Sequence, residues 1–172
     1  MTPDVLKKGE TAARQVLSMD QPPEVPGNQW QAMRASSYKA LGWAAIMRGD
    51  IGPAEQAFVE SLKLDPNDAA ISYEMVRVLM PGPGQVREPE ILFYWARAVV
   101  YDGSGALPAN QREALARGLE WNYTSFHGKD PDGLEKLKAL AKTQTLPPPG
   151  FTISSLPSTQ LVMRPRKAPR QD

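Results

Sequence analysis

A chain of 172 residues is long enough for one domain with a real core and too short for two large ones. Its 20 basic and 19 acidic side chains leave a formal net charge of +1, so no global field draws it to nucleic acid or to a membrane surface. With no cysteine, disulfides, thiolate metal sites and cysteine nucleophiles are excluded together, while a hydrophobic content of 41% is ordinary for a folded domain.

Thr2-Pro3-Asp4 is a helix start: a hydroxyl at the cap, proline at the first helical position and an acid near the positive dipole end. Val5, Leu6, Ala12, Ala13, Val16 and Leu17 follow at helical spacing, which predicts an N-terminal packing helix over 1–19. Charges run through this segment, so it is not a secretory signal, and no stretch of the chain approaches the ~20 apolar residues that span a bilayer. The expected location is the cytoplasm, with export information in a longer precursor left open. Residues 20–29 hold three prolines that remove donors and restrict their predecessors, and are read as an extended linker.

A helical domain is expected over 30–142. Its first helix runs from about Trp30 to Arg48 and breaks at Gly49-Asp50; the second runs from about Gly52 to Leu64 and stops at Asp65-Pro66. A third, about 69–80, is followed by the strong stop Pro81-Gly82-Pro83-Gly84 and a loop to Glu90. Residues 91–101 are apolar almost all round and read as a buried helix. Pro108 opens a long helix with Gly128 as its C-cap, and Asp130-Pro131-Asp132 starts a last one, so 108–142 forms a C-terminal helical cap. Residues 143–172 are Pro-rich and without period, which predicts a mobile tail.

The stretch 35–68 carries a spaced set of marks. Tyr38, Leu41 and Gly42 stand on one helix; Ala54, Phe58 and Pro66 stand on and after the next, with Gly49-Asp50 turning between them. Small Gly42 and Ala54 let the two helices approach closely, Phe58 fills the wedge, and Pro66 halts the second helix. This string resembles a tetratricopeptide repeat, a helix–turn–helix unit of about 34 residues. It departs from the pattern at Ala45, where a large aromatic is preferred and a neighbouring side chain is expected to fill the space. A degenerate second unit, 69–102, has Met75, Val76, Ile91, Trp95 and Ala98 at the corresponding marks. From Gly103 to Phe151 the chain looks like the C-terminal end of bacterial tetratricopeptide proteins found in acidobacteria, which implies architecture but no mechanism. The fold class expected is therefore all-α, with antiparallel helical hairpins stacked as a short tetratricopeptide-like α-solenoid of about seven helices.

What the resemblance implies about function is binding without chemistry. In such arrays the concave wall is lined by the first helix of each repeat, which places Ser36, Lys39, Trp43 and Met47 there, with Tyr73, Arg77 and Met80 from the second unit. Trp, Tyr, Arg and Met are the types that dominate interface hot spots, so a peptide or partner protein of unknown identity is expected in that groove. The competing expectation is that Trp43 and Met47 pack against the chain itself. A second functional reading is an assembly subunit that forms homo-oligomers through apolar helical faces around Phe93, Tyr94 and Trp95.

No catalytic residue, metal site or cofactor is expected. His127 is the only histidine; beside a helix-ending glycine it is read as serving the terminal carbonyls and dipole, and nothing nominates a nucleophile for it. Gly82-Pro83-Gly84 and Gly103-Ser104-Gly105 lack the Gly-Lys-Ser/Thr ending of a phosphate loop. The basic cluster Arg164–Arg170 has no interleaved aromatic, so nucleic acid is not an expected partner.

Overall fold

The computed structural model describes residues 3–80 and 87–156. Among them are seven α-helices and no strand: α1 (Pro3–Ser18), α2 (Gly27–Arg48), α3 (Ile51–Leu64), α4 (Ala69–Leu79), α5 (Glu88–Val100), α6 (Ala109–His127) and α7 (Pro131–Thr143). The Pro81–Gly84 stop and the basic cluster Arg164–Arg170 lie outside the described residues.

Local chemistry sets the helix ends. Extended Pro26 gives its carbonyl to the Trp30 N–H at 2.9 Å, so α2 begins at Gly27 and the last residues expected as linker are helical. At the other end Gly49 takes φ 80°, a conformation that glycine adopts without a Cβ penalty. Its N–H then reaches the Ile46 carbonyl while Asp50 N–H reaches that of Ala45, each at 2.9 Å, which satisfies two terminal acceptors at once. Asp68 caps α4 by accepting the Ile71 N–H at 3.1 Å, and Asp130 caps α7 by accepting that of Gly133 at 3.0 Å. The Gly133 amide, helped by His127, holds the Asp130 carboxyl below the usual carboxylate range. The loop expected up to Glu90 is shorter than the sequence suggests. Pro89 sits in the first turn of α5, where its missing donor is harmless, and the helix starts at Glu88.

Packing follows chain order: α1 lies on α2, α2 on α3, α3 on α4 and α4 on α5. Only α5 breaks the sequence, because α6 and α7 both pack on it. That explains its composition. A helix flanked by three others has no face left for solvent, and every residue from Ile91 to Ala98 is buried.

The closest approach in the first hairpin is at Gly42. A Cβ there would lie 2.3 Å from the Phe58 ring, far inside van der Waals contact, so the ring of α3 rests on the bare backbone of α2. Ala54 and Phe58 are fully buried, and Ser61, also buried, donates its hydroxyl hydrogen to the Ala35 carbonyl at 3.0 Å. Ala45, where the repeat pattern prefers a large aromatic, is only 1% exposed and lies in the buried core; a cleft of about 320 Å³ lies between α1, α2 and α3.

The C-terminal part of the chain corrects two expectations. Residues 144–156 are packed rather than mobile: Leu146, Phe151 and Ile153 lie against the core, with the Phe151 ring edge-on to Phe93 at 5.5 Å. Leu156 N–H donates to the Phe126 carbonyl at 2.7 Å. The strap carries no charge, and its prolines have no donor to satisfy, so extended chain can lie on an apolar surface at little polar cost. His127, expected to serve its own helix end, instead places Nδ1 2.5 Å from the Ser154 carbonyl and Nε2 3.3 Å from Asp130 Oδ2.

Arg97 fastens this half to the first hairpin. Only 2% exposed, it donates through Nη1 to the carbonyls of Ala141 (3.0 Å) and Gln144 (2.8 Å), and through Nη2 to that of Pro66. The guanidinium also stacks over the Tyr101 ring, 4.8 Å from its centroid. Burial pulls its pKa down from the ordinary arginine value.

Two substitutions test these contacts by urea unfolding. Gly42→Ala is expected to destabilise by about 1–3 kcal/mol through overpacking. In a Phe58→Leu background the same change should have a smaller effect, because the ring it strikes is gone; additive effects would mean the two residues do not touch. Arg97→Lys is expected to lose about 2–4 kcal/mol, since a single ammonium cannot serve carbonyls on both sides of α5. A loss below the error of the measurement would show that solvent satisfies those carbonyls.

Candidate partner-binding face

Helical spacing puts Ser36, Lys39, Trp43 and Met47 along one stripe of α2, and Tyr73 and Arg77 along one of α4, with Met80 at the C-cap just past it. The structure leaves most of the first stripe open. Ser36 is exposed, Trp43 is 37% exposed and Met47 is 60% exposed. Both Trp43 and Met47 keep side-chain surface open among the described residues. Met33, one turn before Ser36, extends the exposed apolar surface.

Trp43 is exposed yet not loose. Its ring stands edge-on to Phe58, with centroids 6.0 Å apart and planes at 79°. This arrangement is favourable for aromatic pairs and holds the indole at a fixed angle from the helix. The positions of Gly42 and Phe58 thus decide where the neighbouring tryptophan points.

On α4 the three expected residues behave differently from one another. Met80 is 52% exposed, Arg77 is exposed, and Tyr73 is half-buried with its side chain against the core. Arg77 Nη1 donates to Glu74 Oε2 at 2.9 Å one turn back. Burial pushes the Glu74 carboxyl up, and Arg77 beside it pulls the other way. Both charges of this pair compensate each other, so the stripe is close to neutral.

Lys39 ties the two stripes. Its ammonium meets Asp68 Oδ2 at 2.5 Å, and Asp68 is the residue that caps α4. One carboxylate therefore holds the start of α4 and anchors α2 to it. That makes Lys39 a positioning residue more than a presented one.

The helix expected as an oligomer contact offers nothing to a second copy. Phe93, Tyr94 and Trp95 are buried inside the chain's own core, and Trp95 donates its indole N–H to the Leu115 carbonyl of α6 at 3.0 Å. The apolar run is buried as its sequence suggests, covered by α4, α6 and α7. Two features escaped the sequence reading. Arg97 was legible only as one charge inside an apolar run, and Trp121, 65% exposed on α6, falls outside any repeat mark.

Among the described residues no three His, Asp or Glu side chains gather as a metal site, and no helix is long and apolar enough to cross a membrane. Comparison with protein-family models, with curated proteins and with solved structures returns no match to this chain.

The four tryptophans report on the openness of the face. In variants retaining one tryptophan each, acrylamide should quench Trp43 and Trp121 strongly and Trp30 and Trp95 weakly, following their exposure. A Trp43 emission as protected as that of Trp95 would mean the α2 face is covered.

Proposed function

We propose that this chain is a non-catalytic protein–protein interaction module of the tetratricopeptide kind, an adaptor or scaffold that holds a peptide or partner protein on the α2–α4 face. The observation that carries this reading is the exposure of Trp43, Met47 and Met80 on the stripes where such repeats bind their partners. Large apolar side chains grouped on a fold's surface mark interaction sites more often than chance. A rigid tryptophan beside adaptable methionines suits an interface, the first as an anchor and the second as a surface that reshapes to the partner.

The repeat reading is supported by mechanics at several marks: Gly42 under Phe58, buried Ala54, and α3 ending at Leu64 just before Pro66. The near-neutral stripe on α4 favours a partner that contributes apolar side chains over one held by charge. Several of the charged groups beside this face are engaged in caps and ion pairs.

The test compares captured partners on the immobilised full chain and on a Trp43→Ala/Met47→Ala/Arg77→Ala variant. Because all three side chains are exposed, the variant should keep its helical content by circular dichroism and lose most of the proteins retained by the parent. A partner list unchanged by the triple substitution rejects the α2–α4 face as the binding site.

A further inference from the structure

α1 is held to the fold by little. Of residues 4–18 only Ala13 is buried, while Leu6, Glu10, Val16 and Leu17 are half-buried and the others face solvent. These five share one face at helical spacing, so α1 meets α2 along a single narrow stripe. One member of that stripe is charged. Gly9 stands beside it in the helix interior, where glycine lowers helical propensity, and nothing lies within 4 Å of where its Cβ would be.

The ties are correspondingly few. Among the described residues, one side-chain hydrogen bond joins α1 to another helix: Arg48 donates to Glu10 Oε2 at 2.6 Å. Arg48 shares that guanidinium with Asp50 at 2.8 Å, and its side chain is 39% exposed, so dissolved salt screens the pair. The segment 19–26 bonds to itself and to the adjoining helix ends. Val25 N–H donates to the Pro22 carbonyl at 3.0 Å, and Gln21 Nε2 donates to that of Val25 at 2.8 Å. It can turn as a hinge without giving up a hydrogen bond to the body of the fold. The seam is also incompletely closed. The cleft between α1, α2 and α3 runs along it, with Tyr38 and Leu41 half-buried in its lining.

From these contacts we infer that α1 is a hinged lid, which undocks from α2 as a unit while α2 to α7 stay folded and thereby opens the Tyr38–Leu41 side of α2. Few buried contacts mark the segments of a protein that open first, below the free energy of global unfolding. A helix of 16 residues is marginal by itself in water, so α1 loses its turns once it leaves. The Glu10–Arg48 pair is the catch. Because solvent ions reach it, ionic strength shifts how often the lid stands open. The lid covers a different side of α2 from Trp43 and Met47, so it and the proposed groove can fail independently.

The chain has no cysteine, so a single introduced thiol reports the opening. In the full chain, Ala13→Cys places it at the one buried position of α1, and Ala96→Cys places it in α5, where residue 96 is fully buried. With excess thiol reagent at low ionic strength, Ala13→Cys should react on the order of a hundredfold faster than Ala96→Cys, yet roughly tenfold slower than an exposed thiol. Adding Glu10→Gln to Ala13→Cys should speed its labelling roughly threefold; about 1 M salt should do the same with Glu10 present and little without it. Equal rates at residues 13 and 96 would mean that α1 leaves only when the whole chain unfolds, and would overturn the lid. A residue-13 thiol reacting as fast as an exposed one would overturn it too, since no closed state would exist. An unchanged rate in the Glu10→Gln variant overturns the assignment of the catch. If either cysteine variant fails to fold, amide hydrogen exchange of the unsubstituted chain decides. Protection of α1 equal to that of α5 overturns the lid, and protection roughly a hundredfold lower sustains it.

Discussion

The contact between Gly42 and Phe58 sets the geometry on which the rest of the first hairpin depends. With only a hydrogen at residue 42, the α3 ring can rest on the α2 backbone, and no larger residue leaves room for it. Interiors pack at near-crystalline density, so such a contact fixes position more tightly than apolar attraction alone. Its consequence reaches the surface, because the same ring supports Trp43 edge-on and keeps the indole directed outward. It also propagates along the chain. When each helix packs on the next, the pose of one pair constrains the placement of its neighbours on either side.

The C-terminal half is closed by a different device. Helix ends leave carbonyls without partners, and α7 ends beside the turn that follows α3. Arg97 reaches both places from inside α5. Placing a guanidinium among apolar side chains is unfavourable by itself, and the lowered pKa of Arg97 expresses that. Three carbonyls offset the penalty, and Tyr101 covers the cation's face. The arrangement makes α5 more than a filler between α4, α6 and α7. It is the element through which the end of the first hairpin and the end of the last helix are held together.

Much of this fold was legible because helices announce themselves twice, by period and by punctuation. Gly49, Pro66, Asp68, Gly128 and Asp130 each stop, turn or cap the chain where their chemistry requires, and the boundaries follow within a few residues. The packed strap was not legible. Leu146, Phe151 and Ile153 reach the core as separated side chains on extended backbone, with neither the 3.6 nor the 2.0 period that a pattern search detects. Proline content there suggested motion, although proline also lowers the entropy lost when a chain becomes ordered. The candidate face was legible as a stripe, but the separate fates of its members were not. Lys39 is drawn to Asp68, Tyr73 turns to the core and Arg77 pairs with Glu74, choices made by neighbours that lie far away or one turn back in sequence.

α2 shows how one helix serves three surroundings. Its Gly42 side accepts α3, its Trp43–Met47 side is left to solvent, and its Tyr38–Ala45 side stands under the cleft bordered by α1. A helix buried by two neighbours needs an apolar arc of only part of its circumference. Its overall amphipathicity is correspondingly weak, because large apolar residues also occupy the exposed arc. A surface helix that keeps tryptophan and methionine partly in water departs from the pattern that favours solubility. The departure is confined to one stripe, a local exception to a well-packed hairpin.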